Sequence, residues 1–108
     1  SFHVDALSVY KNRGGGWERV YSAELSFGHG LSVGSLAGVP VAVAGNRDGS
    51  KNLVCYRPGR DDAFAMEEIV VDEGPATAGT TIASTPEGDG IVASNPEFAE
   101  YALYLARP

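Results

Sequence analysis

The sequence repeats itself at an offset of 49 residues: Glu18/Glu67, Gly30/Gly79, Val43/Val92, Ala44/Ala93 and Asn46/Asn95 are identical pairs at that spacing. In the first copy, Trp17-Glu18-Arg19-Val20-Tyr21 leads into Gly28-His29-Gly30-Leu31-Ser32-Val33-Gly34-Ser35-Leu36, then Val41-Ala42-Val43-Ala44-Gly45-Asn46, then Leu53-Val54-Cys55-Tyr56. In the second, Met66-Glu67-Glu68-Ile69-Val70 leads into Thr77-Ala78-Gly79-Thr80-Thr81-Ile82-Ala83-Ser84-Thr85, then Ile91-Val92-Ala93-Ser94-Asn95, then Ala102-Leu103-Tyr104-Leu105. The segments are short, rich in β-branched residues and separated by Gly, Pro, Asn and Asp, which predicts strands joined by turns. No segment carries a sustained helical period with caps, so little helix is expected, with one turn at most over 96–101.

A repeat of roughly 40 to 50 residues carrying four short strands is the signature of a β-propeller blade. The fold class read from the sequence is therefore all-β, with blades of four antiparallel strands. A propeller has about four blades or more, whereas 108 residues supply about two. Lettering the strands of a blade a to d from the axis outward, the chain reads c-d, a-b-c-d, a-b-c. The expected division is 1–24 as outer strands of one blade, 25–72 as a complete blade and 73–108 as the first three strands of the next. Closing c-d onto a-b-c would count strand c twice, so the remaining blades are expected on another chain or on identical copies assembled in a ring.

Within this frame, residues 31–36 form the innermost strand, where Gly34 and Ser35 let neighbouring backbones crowd. Ser26-Phe27-Gly28 is expected to turn the chain into that strand. Ala37-Gly38-Val39-Pro40 is a tight hairpin connection, 41–44 a buried strand, and 58–62 a turn. Trp17 is expected to pack between blades. The recurrence of Tyr10, Tyr56 and Tyr104 near the ends of third strands points to a structural role, and Cys55 in an apolar strand reads as an inert core thiol.

Charge and composition narrow the partners. The net charge is −6, with 14 acidic against 8 basic residues, so there is no basic stripe for a phosphate backbone and nucleic acid is not an expected partner. No apolar run approaches the roughly 20 residues that span a bilayer, and no membrane partner is expected. Residues 1–5 lack the basic and apolar regions of a signal peptide. The single cysteine excludes an internal disulfide and leaves extracytoplasmic and cytoplasmic locations both open.

The stretch from Gly28 to Gly38, and its counterpart Pro86-Glu87-Gly88-Asp89-Gly90-Ile91-Val92-Ala93-Ser94-Asn95, resembles the FG-GAP or VCBS-type repeat, in which a small-residue strand runs through a turn into a buried apolar strand. Gly28-His29 before strand a and Gly45-Asn46-Arg47 after strand b resemble most the propeller of aldos-2-ulose dehydratase-type sugar enzymes. The resemblance implies a propeller fold, a carbohydrate ligand and dehydratase or lyase chemistry by β-elimination. Members that bind calcium use several Asp or Asn side chains in the a-b turn, because the ion takes about six to eight oxygens. The turn at Ala37-Gly38-Val39-Pro40 has no carboxylate and the second keeps only Glu87 and Asp89, so neither is a convincing metal site.

The d-a and b-c connections of a blade lie on one face, which predicts that His29 and Arg47 approach each other at the channel mouth. Imidazole there suits proton removal beside a carbonyl, or binding of a divalent metal at the channel. Arg47, with Asn46 beside it, suits a substrate carboxylate or the developing enolate. The plainer alternative has His29 bonded to a loop carbonyl and Arg47 paired with Asp48. Three functions follow as expectations: part of a sugar dehydratase or lyase, a carbohydrate- or protein-binding propeller, or a structural part of a larger one.

Overall fold

Residues 41–44 and 53–56 are apolar without alternation, and a strand of that composition is stable only when covered on both faces. The computed structural model, which describes residues 4–12, 14–59 and 66–106, places both in that position. The strands are β1 (Val4–Asn12), β2 (Trp17–Leu36), β3 (Val39–Asn46), β4 (Leu53–Pro58), β5 (Met66–Asp72), β6 (Gly79–Thr85), β7 (Gly88–Asn95) and β8 (Glu100–Leu105). All pairings are antiparallel, in the orders β1-β2-β3-β4-β5 and β6-β7-β8. The all-β expectation holds, and the helical element among the described residues is one 3-10 turn, Pro96–Phe98.

The five-stranded order divides into two layers because β2 changes partner along its length. Residues 17–28 pair with β1, and residues 28–36 pair with β3. At the change-over Gly28 faces Val4 on one edge and Asn46 on the other. The register slips between His29 and Leu31, where Gly30 has φ 71, so an extra left-handed residue bends the strand without ending it. The expected turn at Ser26-Phe27-Gly28 is therefore corrected: the chain stays extended there, and the bulge at Gly30 redirects it.

The result is three packed layers: a hairpin of β1 and the first half of β2; a central sheet of the second half of β2 with β3, β4 and β5; and a third sheet of β6, β7 and β8. Alternate residues of β3 and β4 point to opposite faces. Ala42, Ala44, Val54 and Tyr56 pack with Leu7, Ala23 and Leu25 of the hairpin. Val41, Val43, Leu53 and Cys55 pack with Ile91 and Ala93 of the third sheet. Each fully buried Val or Leu contributes on the order of 2 kcal/mol, so the central sheet holds the other two layers.

The hairpin between β2 and β3 is tighter than its four-residue motif. Ala37 and Gly38 alone form the turn, at φ 51 and φ 81, and Val39 and Pro40 already belong to β3. Positive φ at both central residues matches the right-handed twist of the flanking strands. The turn expected at 58–62 extends outside the described residues after Gly59.

The second half of β2 lies against β6 along the seam between the central and third sheets. A Cβ on Gly30 would stand 2.6 Å from the Ala78 carbonyl oxygen, and one on Gly45 would collide with the carbonyl oxygens of Thr77 and His29. Gly34, by contrast, faces the Ile82 side chain at 3.3 Å, and Ser35 is exposed. Close backbone approach therefore falls at Gly30 and Gly45 rather than at Gly34 and Ser35, because the bulge swings the start of the inner strand towards its neighbour.

Candidate functional site: the seam between the central and third sheets

His29 is half-buried at the top of this seam, with Nδ1 2.6 Å from the carbonyl oxygen of Ala78. A carbonyl only accepts, so Nδ1 carries the proton, and in the neutral ring Nε2 holds the basic lone pair. Three residues further along, the Ser32 hydroxyl donates to the Thr80 carbonyl at 2.6 Å. The seam is thus fastened by polar side chains of β2 that reach the backbone entering and forming β6.

Arg47 follows β3 and crosses the same seam. Its guanidinium lies 3.7 Å from the Glu97 carboxylate, which also accepts from Lys51 at 3.1 Å. The expected pairing of Arg47 with Asp48 is corrected: Asp48 accepts from the backbone N–H of Gly49 at 2.8 Å, an interaction fixed by the tight loop, while Arg47 turns towards the third sheet. Arg47 Nε is buried and has no hydrogen-bond partner among the described residues. His29 lies opposite Gly45, two residues before Arg47, so strand periodicity sends both side chains towards the third sheet. The structure brings His29 and Arg47 to one seam, each engaged with a different residue across it.

Asn46 is 6% exposed and donates from Nδ2 to the Asn52 carbonyl at 2.9 Å, which also accepts from the Asn46 backbone N–H at 3.2 Å. It ties down the β3–β4 loop. That loop in turn holds the β5–β6 connection through Gly74 N–H to Asn52 Oδ1 at 3.1 Å and Ala76 N–H to the Lys51 carbonyl at 3.0 Å. The repeat counterpart Asn95, fully buried, accepts from the Thr77 hydroxyl at 2.6 Å and donates to Glu100 at 2.7 Å. In both copies the asparagine after the buried strand fastens the chain that follows or flanks it.

Among the described residues no three His, Cys, Asp or Glu side chains converge on a point that would hold a metal ion. Asp89 of the second turn is committed elsewhere: one carboxylate oxygen accepts from the Ala37 backbone N–H at 2.7 Å and the other from the Ser84 hydroxyl at 3.0 Å. It clamps the first hairpin turn to the second. This contact has no sequence signal, since its donor is backbone on another sheet.

Further out, Tyr104 donates to Asp72 at 2.6 Å, and burial together with that bond pushes its hydroxyl up to about 12. Burial, with Glu68 nearby, raises Tyr56 equally, to about 12. Burial also raises the Cys55 thiol, which is 5% exposed, in keeping with an unreactive core position. Trp17 is 72% exposed: the start of β2 has strand β1 beside it and no layer over the indole among the described residues, so the expected packing between blades has no partner there. Beside Tyr104 a groove of about 540 Å³ opens between the two sheets, lined by Cys55, Arg57, Ile69, Val71 and Ile91. None of the sequence-derived site residues lines it.

Comparison with protein-family models, with curated proteins and with solved structures finds no match to this chain.

Proposed function

We propose that the chain is a stretch of a β-propeller and that this stretch is architectural, holding successive blades at a fixed angle. The observation carrying the reading is a difference between equivalent positions in the central and third sheets. Val43 pairs with Cys55 and Val92 with Leu103. In the central sheet Val43, Cys55 and Leu53 are 0%, 5% and 0% exposed; their counterparts Val92, Leu103 and Tyr101 are 38%, 50% and 87% exposed. The first set is covered by the next layer, and the second is the same face with nothing over it among the described residues. A further blade over that face, from another chain or an identical copy, would complete the pattern. The inner strands support the same reading: Gly30, Ser32 and Gly34 meet Ala78, Thr80 and Ile82, as successive copies of one strand related by a rotation would.

The test is solution mass by light scattering with intact mass of every polypeptide, alongside hydrogen exchange. The reading expects an assembly larger than one chain and slow exchange across β7, the middle strand of the third sheet. A chain that remains monomeric, with its third sheet as protected as its central one, needs no cover and overturns it.

One observation favours a second reading, the β-elimination on a sugar or uronate implied by the resemblance to FG-GAP-type sugar enzymes. The bond from Nδ1 to Ala78 fixes the His29 ring with its basic nitrogen on the other side, and Arg47 crosses the same seam. Product absorbance from a panel of uronate polymers and ketosugars tests it. Turnover lost in His29→Asn with the fold intact would support a base; no turnover with any substrate would leave the architectural reading alone.

A further inference from the structure

In both seams the buried strands of one sheet pack on the layer before it, and the outer ends differ. At the first, β5 lies across the hairpin layer: Met66 packs on the Leu7, Ala23 and Leu25 cluster together with Tyr21, and the Tyr21 hydroxyl donates to Glu68 at 3.2 Å. The outermost strand of the central sheet thereby covers the layer before it. At the second seam the third sheet ends at β8, with no strand beside its outer edge among the described residues. The opposite face of β5 is consequently left open. Ile69, 38% exposed, and Val71 form one wall of the groove of about 540 Å³, and Ile91 and Tyr104 form the other.

We infer that this groove and the outer edge of β8 together form an acceptor site for an extended peptide strand. The edge supplies N–H and C=O groups that pair with no strand among the described residues, and the groove supplies an apolar wall for alternate side chains. The occupied first seam states what fits. Tyr56 opposite Ala42 takes the place of Tyr104 opposite Ile91, and β5 pairs antiparallel with β4 through Tyr56↔Glu68 and Val54↔Val70. The incoming strand runs antiparallel to β8 in the same way, and its residues opposite Ala102 and Tyr104 face the groove. Because Ile69, Val71 and Ile91 line that space, those residues are aliphatic, separated by one outward-facing residue each. The inference rests on reading the third sheet as a blade lacking its outer strand, and the occupant is a segment of β-strand chemistry rather than a small ligand.

The probe is the fluorescein-labelled peptide acetyl-Lys-Thr-Val-Thr-Val-Thr-Val-Lys-amide, titrated against the intact chain by anisotropy. Saturable binding is expected, with new exchange protection on β8. A control of the same composition with its valines contiguous should bind at least about tenfold more weakly, and Ile69→Lys should weaken the alternating peptide by a similar factor. Two N-methylated versions need no protein variant. Methylating the valine nitrogens blocks one edge of the peptide and methylating the threonine nitrogens blocks the other, so strand addition requires one version to bind and the other to fail. Both versions behaving alike, no saturable binding, or β8 already protected in a dimer of the chain would each overturn the inference. A larger assembly whose open β8 edge takes no peptide removes this inference and leaves the propeller reading standing; peptide capture by a strictly monomeric chain does the reverse.

Discussion

Nδ1 of His29 donates a 2.6 Å hydrogen bond to the carbonyl oxygen of Ala78, the residue 49 positions on that occupies the place of His29 in the second copy of the repeat. The two copies therefore touch at equivalent positions, and the side chain that distinguishes them is the one that joins them. Asparagine places an amide nitrogen close to where Nδ1 lies, so His29→Asn should keep the bond. His29→Ala leaves a half-buried carbonyl unpaired and should cost about 1 to 2 kcal/mol, against less than about 0.5 kcal/mol for asparagine. Urea unfolding of the two variants measures the difference, and equal losses would show that the bond does not hold the seam.

The glycines on the seam should rank by what a Cβ would meet. Gly45→Ala drives a methyl into the carbonyls of Thr77 and His29, backbone that cannot rotate away, and should cost about 2 to 3 kcal/mol. Gly34→Ala meets only the flexible Ile82 side chain, at 3.3 Å, and should stay within about 1 kcal/mol. Thermal unfolding of both variants checks the order.

Alkaline stability should report Tyr56 and Tyr104. Both hydroxyls rise from the ordinary value of 10.0 to about 12, chiefly through burial, so the folded state favours their neutral forms. That contribution is complete below pH 10 and is lost as pH rises through the folded value near 12. Tyr104→Phe removes one of the two groups and should make the fall in stability over this window shallower. Unfolding free energies measured across it test the sign.

Asp89 should act as a clasp between hairpin turns. Asp89→Ala removes acceptors for the Ala37 N–H and the Ser84 hydroxyl and should cost about 1 kcal/mol, with faster exchange of the Ala37 amide. The clasp is not repeated by the third sheet in the same form. Its equivalent turn begins with Pro86, paired strands closing at Thr85 and Gly88, and proline has no N–H to donate.

Position along the repeat should decide how a charge is tolerated. Leu103→Lys lies on the uncovered face and should change the stability of the single chain by no more than about 0.5 kcal/mol while weakening any larger assembly. Cys55→Lys, at the equivalent buried position, should abolish the cooperative fold, because an unpaired ammonium would sit between two sheets. Circular dichroism and light scattering distinguish the two outcomes.

What the sequence determined by itself was periodicity: the 49-residue repeat, the strand segments within it and the burial of 41–44 all follow from local composition and spacing. Those signals are legible because each residue's propensity and its neighbours two positions away decide them. The candidate site was legible only as residue types in order. That His29 reaches Ala78, that Arg47 turns to Glu97 instead of Asp48 and that Trp17 stands exposed depended on how the layers stack. The tertiary structure decided these because partners on different sheets meet only once the layers are stacked, and one left-handed residue, Gly30, bends β2 where it passes from one layer to the next.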